Sequence, residues 1–387
     1  MKLLQIVPTI HEFPDFRAFG EVFRITERDL ILTSNGLYRS CVWEADGHHT
    51  PTGWKNVARV MYRDHFGKGE PTDEMVNRML KQRDEIHESI PGGIDRIIAV
   101  GGGAILDMAK VLAVAPHGTQ DVNDLYADPA KLRRQHELIA IPSTCGTGSE
   151  VTNISVIFRT PLGTKHGLVG DALYPAHAVL IPQTMNRLPY EVFAVSAIDA
   201  LIHAVESYLS PLATPLTDMF GEKAIRQILT GFSLVADARE RLHSQHGNFL
   251  QAALNAGVAF GNAGCGPVHA LSFALGGKYH VPHGESCYQY FIPVLRYYQD
   301  SAAPGGKLEQ LEALLCDVLD TEDGLSAMED LLERILPHKP MAAYGAVEAD
   351  VAAFARSTID NQQRLLARAY VPVDYEAALA IEAECLI

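Results

Sequence analysis

Cysteine is scarce and scattered. The six thiols, at positions 41, 145, 265, 287, 316 and 385 of 387, form no C-x-x-C pair and no disulfide framework, which fits a reducing, cytoplasmic compartment. The opening Met1-Lys-Leu-Leu-Gln-Ile lacks a basic segment followed by an apolar core, so no signal peptide is expected. No apolar run reaches about 18 residues, so no membrane-spanning helix is expected. Internal repeats and low-complexity tracts are absent too. Positive charge is in short supply: the formal net charge is −15. That argues against a general nucleic-acid or anionic-membrane partner and leaves a small molecule. An acidic substrate would then need a local basic group.

What is present reads as a soluble two-domain enzyme: 47% hydrophobic, 20% charged, and long enough for two cores. The first half alternates short apolar runs with amphipathic stretches. Asp29–Ser34, Val57–Tyr62, Arg96–Val100, Leu138–Pro142 and Ala178–Ile181 read as strands. Residues 37–47 and 74–88 read as helices, the second capped by Glu70-Pro-Thr-Asp73. The strand at Arg96 runs into Gly101-Gly-Gly-Ala-Ile-Leu-Asp107-Met-Ala-Lys110. A strand, a triple glycine and a helix suit phosphate, because bare N–H groups at a helix N-terminus face the anion. A plain tight turn is the alternative. Ser143-Thr-Cys-Gly-Thr-Gly-Ser-Glu150 is a second loop, dense in hydroxyls. After Pro182 the texture becomes helical, over 190–209, 214–240, 248–262 and 308–336. The expectation is a Rossmann-like α/β nucleotide domain over 1–186 and an all-α metal-binding domain over 187–387, with the active site in the cleft between them.

The metal expectation rests on Asp199 to His283. Asp199 and His203 stand four apart, on one face of an otherwise apolar helix. A buried charge there needs a partner or an ion. His269 lies among small residues in Gly264-Cys-Gly-Pro-Val-His-Ala-Leu, and His283 sits between Pro282 and Gly284. One carboxylate and three imidazoles suit Fe²⁺ or Zn²⁺.

These motifs together resemble the iron-dependent (group III) alcohol dehydrogenase family over nearly the whole chain. The resemblance rests on Gly101-Gly-Gly-x-x-x-Asp107-x-x-Lys110, Pro142-Ser-Thr-Cys-Gly-Thr-Gly-Ser-Glu150, the Asp199/His203 pair and the His269 and His283 segments. Tyr279-His-Val-Pro-His-Gly-Glu285 and Gln362-Gln-Arg-Leu-Leu366 point within it to the NAD-dependent branch acting on 4-hydroxybutyrate. The resemblance implies Asp199, His203, His269 and His283 as metal ligands. It implies Gly101, Gly102, Gly103 and Asp107 around the pyrophosphate, Thr144, Thr147 and Ser149 lining NAD(H), and Lys165 near a ribose. Asn153, Lys278 and Arg364 are the candidates for the substrate, and a homodimer is expected. Two positions depart from the family pattern. Phe273 stands where many relatives carry a second histidine, so His280 becomes the candidate proton carrier. Ser34 stands where NAD-specific relatives carry aspartate, which leaves NADP open.

The chemistry so implied is hydride transfer between nicotinamide and an alcohol or aldehyde carbon. Three rivals are weighed against it: a relative acting on another short-chain alcohol, diol or phosphonate aldehyde; a dehydroquinate synthase-like lyase; and a non-catalytic protein with a structural ion. The last would favour cysteine ligands, which are missing here.

Overall fold

The computed structural model describes residues 3–39, 58–67 and 69–387. Most of the helix expected over 37–47 lies outside the described residues. The chain forms two compact units, Ile6–Leu188 and Pro189–Ile387, the latter joined by the N-terminal residues through Gln5.

The first unit runs β1 (Thr9–Glu12), α1 (Phe16–Phe23), β2 (Asp29–Thr33), β3 (Arg59–Tyr62), α2 (Asp73–Ser89), β4 (Arg96–Gly101), α3 (Gly103–Val114), β5 (Glu137–Pro142), β6 (Ile154–Arg159), β7 (Thr164–Val169) and β8 (His177–Leu180). The main sheet has the order β1-β8-β5-β4-β2-β3 with every described pair parallel. Strand alternation sorts its residues into two cores. Leu30, Leu32, Ile97, Ala99, Leu138 and Ala140 pack with residues of α2 and α3. Ile31, Ile98, Val100, Ile139 and Ile141 face the other way, with Phe16 and Phe19 of α1. Gly101 pairs with Pro142, so β4 and β5 end side by side. The loops at their carboxyl ends are thereby neighbours, the usual place for a ligand in such sheets. β6 and β7 form a separate antiparallel hairpin.

The second unit is helical: α4 (Tyr190–Leu209), α5 (Pro215–Asp237), α6 (Leu242–Ala263), α7 (Pro267–Tyr279), α8 (His283–Ser301), α9 (Lys307–Leu319), α10 (Gly324–Ile335), α11 (Glu348–Asn361), α12 (Gln363–Leu366) and α13 (Tyr375–Leu386). The single helical pattern read over 308–336 is two helices. Asp320 turns left-handed at φ 53° after α9. Gly324 then begins α10 so close to α9 that a β-carbon would lie 2.5 Å from Leu315 Cβ. α4 alone among the described helices is long and apolar enough to cross a membrane, with mean hydropathy 1.5. It is instead the core of this unit, with residues 197–209 all buried.

Candidate metal centre and cofactor loop

α4 presents Asp199, His203 and Glu206 along one face, all at most 7% exposed. His269, the third residue of α7, and His283, the first residue of α8, meet that face. Gly284 explains how α8 comes so close. A β-carbon there would stand 2.6 Å from Val195 Cγ1 and 2.8 Å from the Val195 carbonyl oxygen. Only hydrogen fits, so His283 is carried up against Asp199.

The four side chains converge. His269 Nε2 lies 3.0 Å from His203 Nε2 and 4.0 Å from Asp199 Oδ1. His283 Nε2 lies 3.9 Å from the same oxygen, and His203 Nδ1 3.9 Å from Asp199 Oδ2. Ligand atoms held about 2.1 Å from one ion stand roughly 3.0–4.2 Å apart, so Asp199, His269 and His283 have the spacing of a coordination shell, while His203 adjoins that group through His269. Asp199 Oδ1 is buried and accepts no hydrogen bond. A bare carboxylate oxygen facing two imidazoles is costly unless a cation lies between them. The residues present therefore fit the ion.

Glu206 orients the set. Its Oε1 accepts the Val268 N–H at 2.7 Å, and its Oε2 lies 2.6 Å from His269 Nδ1. That places the His269 proton on Nδ1 and leaves the Nε2 lone pair for coordination, the arrangement by which carboxylates position metal-binding histidines. His203 is held flat between rings, 4.3 Å from Phe260 and 4.6 Å from His269. Two thiols also stand here. Cys287 groups with Asp199, His269 and His283, and Cys265 with His203 and His269. Burial pushes the Cys265 thiol up to about 12, so it stays protonated. Phe273 turns its ring toward His283 at 6.3 Å. His280 is exposed, in the left-handed conformation at the end of α7.

Of the basic substrate candidates, Lys278 pairs with Asp350, which also accepts from Tyr279 Oη at 2.6 Å and from the Val347 N–H at 2.9 Å. The Lys278 bond first, then Tyr279, holds the Asp350 carboxyl down at about 2. Lys278 thus anchors the start of α11. Arg364 is exposed on α12. Arg368, which sequence reasoning passed over, lays its side chain against Gly264, with Cγ 3.3 Å from where a β-carbon would be.

In the first unit, no side chain caps α3, whose N-cap is Gly102. Its first N–H groups are those of the glycine turn. A β-carbon on Gly102 would stand 3.3 Å from Thr144 Cγ2, and one on Gly103 2.5 Å from Thr147 Cγ2. The glycines thus admit the two threonines as well as any phosphate. Asp107 faces inward. Its carboxylate accepts from Ser149 Oγ at 2.6 Å and the Val156 N–H at 2.8 Å, with Lys110 Nζ at 3.8 Å. Lys110 donates to Thr152 Oγ1 and the Ile154 carbonyl. Burial draws its pKa down to about 8 and raises that of Asp107. Asp107 and Ser149 therefore tie the hydroxyl loop to α3. Lys165 pairs with Glu70 at 3.1 Å, and the Asn153 amide approaches Asp171 at 3.4 Å. Ser34 caps the turn after β2, and Asp64 accepts the adjoining Asn35 N–H at 2.6 Å.

A glycine turn on a parallel sheet and a buried Asp-His₃ set on a helical unit define a metal-dependent dehydrogenase. The iron-containing alcohol dehydrogenase pattern matches residues 16–182, and the C-terminal pattern of the Fe-containing alcohol dehydrogenase family matches 193–384. The chain belongs to that family. It is 39% identical over 379 residues, 97% of each chain, to a 4-hydroxybutyrate dehydrogenase of Clostridium kluyveri. It is 34% identical over 312 residues, 75% of this chain and 76% of the other, to long-chain-alcohol dehydrogenase 1 of Geobacillus thermodenitrificans. Its fold matches that of a sulfoacetaldehyde reductase from Bifidobacterium kashiwanohense, solved in complex with NAD+, with a TM-score of 0.82 at 20% identity over 99% of this chain and 98% of the other. A 1,3-propanediol oxidoreductase matches over all of both chains with a TM-score of 0.79 at 23% identity.

Proposed function

We propose that the protein interconverts 4-hydroxybutyrate and succinic semialdehyde with NAD(H), as a cytoplasmic homodimer. The observation that carries this reading is the 39% identity to a 4-hydroxybutyrate dehydrogenase across nearly the whole chain, with a complete donor set for the chemistry. Scattered cysteines support the compartment. The edge strand β1, with Ile10 44% exposed and Val7 just ahead of it equally so, supports a partner across that edge.

Asp199, His203, His269 and His283 would hold the ion, Fe²⁺ by family and Zn²⁺ by ligand chemistry. Bound there, it supplies Lewis-acid stabilisation of negative charge developing on the substrate oxygen. Glu206 keeps His269 in the coordinating tautomer. Phe273 brings no proton, so His280 carries it to solvent. The N–H groups after Gly102, with Thr144 and Thr147, hold the pyrophosphate; Asp107 and Ser149 keep that loop in place, and Lys165 serves the ribose. Asp64 sets a carboxylate at the end of β2, where Ser34 has none, and its charge disfavours the extra phosphate of NADP. Asn153 contacts the substrate.

The substrate carboxylate needs a cation. With Lys278 engaged by Asp350, that role falls to Arg364, whose guanidinium can grip both carboxylate oxygens. Arg364→Met is expected to lower kcat/KM for succinic semialdehyde several-fold to a hundredfold, about 1–3 kcal/mol. Butyraldehyde, which lacks the carboxylate, should be reduced almost as before. Initial rates with both aldehydes, NADH and restored Fe²⁺ or Zn²⁺ measure this. Equal losses on both substrates would remove Arg364 from the site and turn attention to Arg368 and His280.

A further inference from the structure

The first unit carries three histidines that take no part in the cofactor loops. His87 lies on α2, His117 in the turn after α3, and His136 just before β5. Their ring centroids are 4.0 Å apart for His87–His117, 5.2 Å for His117–His136 and 5.6 Å for His87–His136. One nitrogen of each ring lies within 4.8 Å of the other two.

The partners of the rings fix their protons. His136 lies 2.9 Å from the Ile94 carbonyl through Nδ1, which must donate. Its lone pair is then on Nε2, and that atom is buried with no hydrogen-bond partner. The whole residue is 2% exposed. An unmatched buried nitrogen is a standing cost that a ligand would remove. His117 Nδ1 lies 2.8 Å from Asp84 Oδ1. A carboxylate behind an imidazole is the pairing that presets metal-binding histidines, and it too leaves the lone pair on Nε2. His87 differs, because its Nδ1 accepts the Ile94 N–H at 3.0 Å. The neutral ring therefore carries its proton on Nε2. The cluster thus offers two lone pairs and one N–H.

The positive charge of Arg83 opposes a cation here in part. The buried Arg83 guanidinium is 2.6 Å from Asp84 and also donates to the carbonyls of Leu112, Ala115 and Pro116. Its charge is offset by that carboxylate. His117 is partly exposed and gives an ion its way in.

We propose that His117 and His136 bind a divalent cation of the imidazole-preferring class, Zn²⁺ or Cu²⁺, with His87 donating from Nε2 to a water that completes its shell. The site is additional to the Asp199 set. It ties together α2, the turn after α3 and the start of β5, so its role is to brace the nucleotide-binding unit.

The test counts ions on the full-length protein. Zinc is titrated against a chromophoric chelator for the wild type, His117→Gln, His269→Ala and the double variant. The expected result is two equivalents, one, one and none. His136→Gln should behave as His117→Gln does, and His87→Ala should weaken the second equivalent several-fold without abolishing it. Dehydrogenase activity should be the same in His117→Gln, which also reports that the variant is folded. On the His269→Ala background, bound Cu²⁺ should show electron paramagnetic resonance couplings to two imidazole nitrogens. A single equivalent in the wild type under excess zinc would overturn the proposal. So would a second equivalent left undiminished in His117→Gln.

Discussion

Glu206 touches no expected substrate, yet it fixes the proton of a ligand. Glu206→Gln keeps the shape and can still accept the Val268 N–H. It loses the carboxylate charge that favours the His269 tautomer. Metal affinity should fall about 10–100-fold, measured by chelator competition, with NAD(H) affinity unchanged. Unaltered metal affinity would reduce Glu206 to packing. Sequence reasoning reached Asp199 and His203 because a charged pair four apart stands out on an apolar helix. Glu206 continues the same face three residues later, and that spacing was the available signal. Cys287, four residues after His283, was legible in the same way. The engagement of Lys278 was not, because its partner Asp350 is 72 residues away and only the fold brings them together.

Among elements, the approach of α8 to α4 decides whether His283 can reach Asp199. Gly284→Ala forces a β-carbon into Val195, backbone included. The helices must part by a few tenths of an ångström or more. Metal occupancy by elemental analysis should fall well below that of the wild type, while the glycine turn, on the other unit, keeps its cofactor affinity. Full occupancy would mean that α8 can yield without moving its first residue. Strands β2, β4, β5 and β8 were largely legible, since strands buried on both faces read as continuous apolar runs. β1 and the β6–β7 hairpin were not. β1 has four residues, none of them buried, and β6 alternates buried and half-buried positions without a strong apolar run. The run over 308–336 reads as one helix because α9 and α10 are both amphipathic; the break rests on the left-handed Asp320 and the closeness allowed by Gly324.

At the scale of the molecule, one buried acid ties stability to pH. Glu382 is fully buried, accepting from Tyr290 Oη at 2.9 Å. Burial raises its pKa from 4.5 to about 8. Between those values the folded protein keeps a proton that the unfolded chain has released. The stability this group contributes is whole below 4.5 and is lost as pH rises through 8, by up to about 1.4 kcal/mol per pH unit. Glu382→Gln holds no such proton, so thermal denaturation across that window should show a flatter decline than in the wild type. An identical decline would place the responsible proton elsewhere. The apolar character of α4 has a further consequence, one that precedes folding. Before it is buried, this twenty-residue segment has the length and mean hydropathy of a membrane span, by composition alone. Asp199 falls at its middle, where an aspartate costs about 2.5–3.5 kcal/mol on the scale of translocon insertion. The carboxylate placed to meet a cation in the folded unit is thus also a cost against lipid for the unfolded segment, and an apolar residue in its place would remove both.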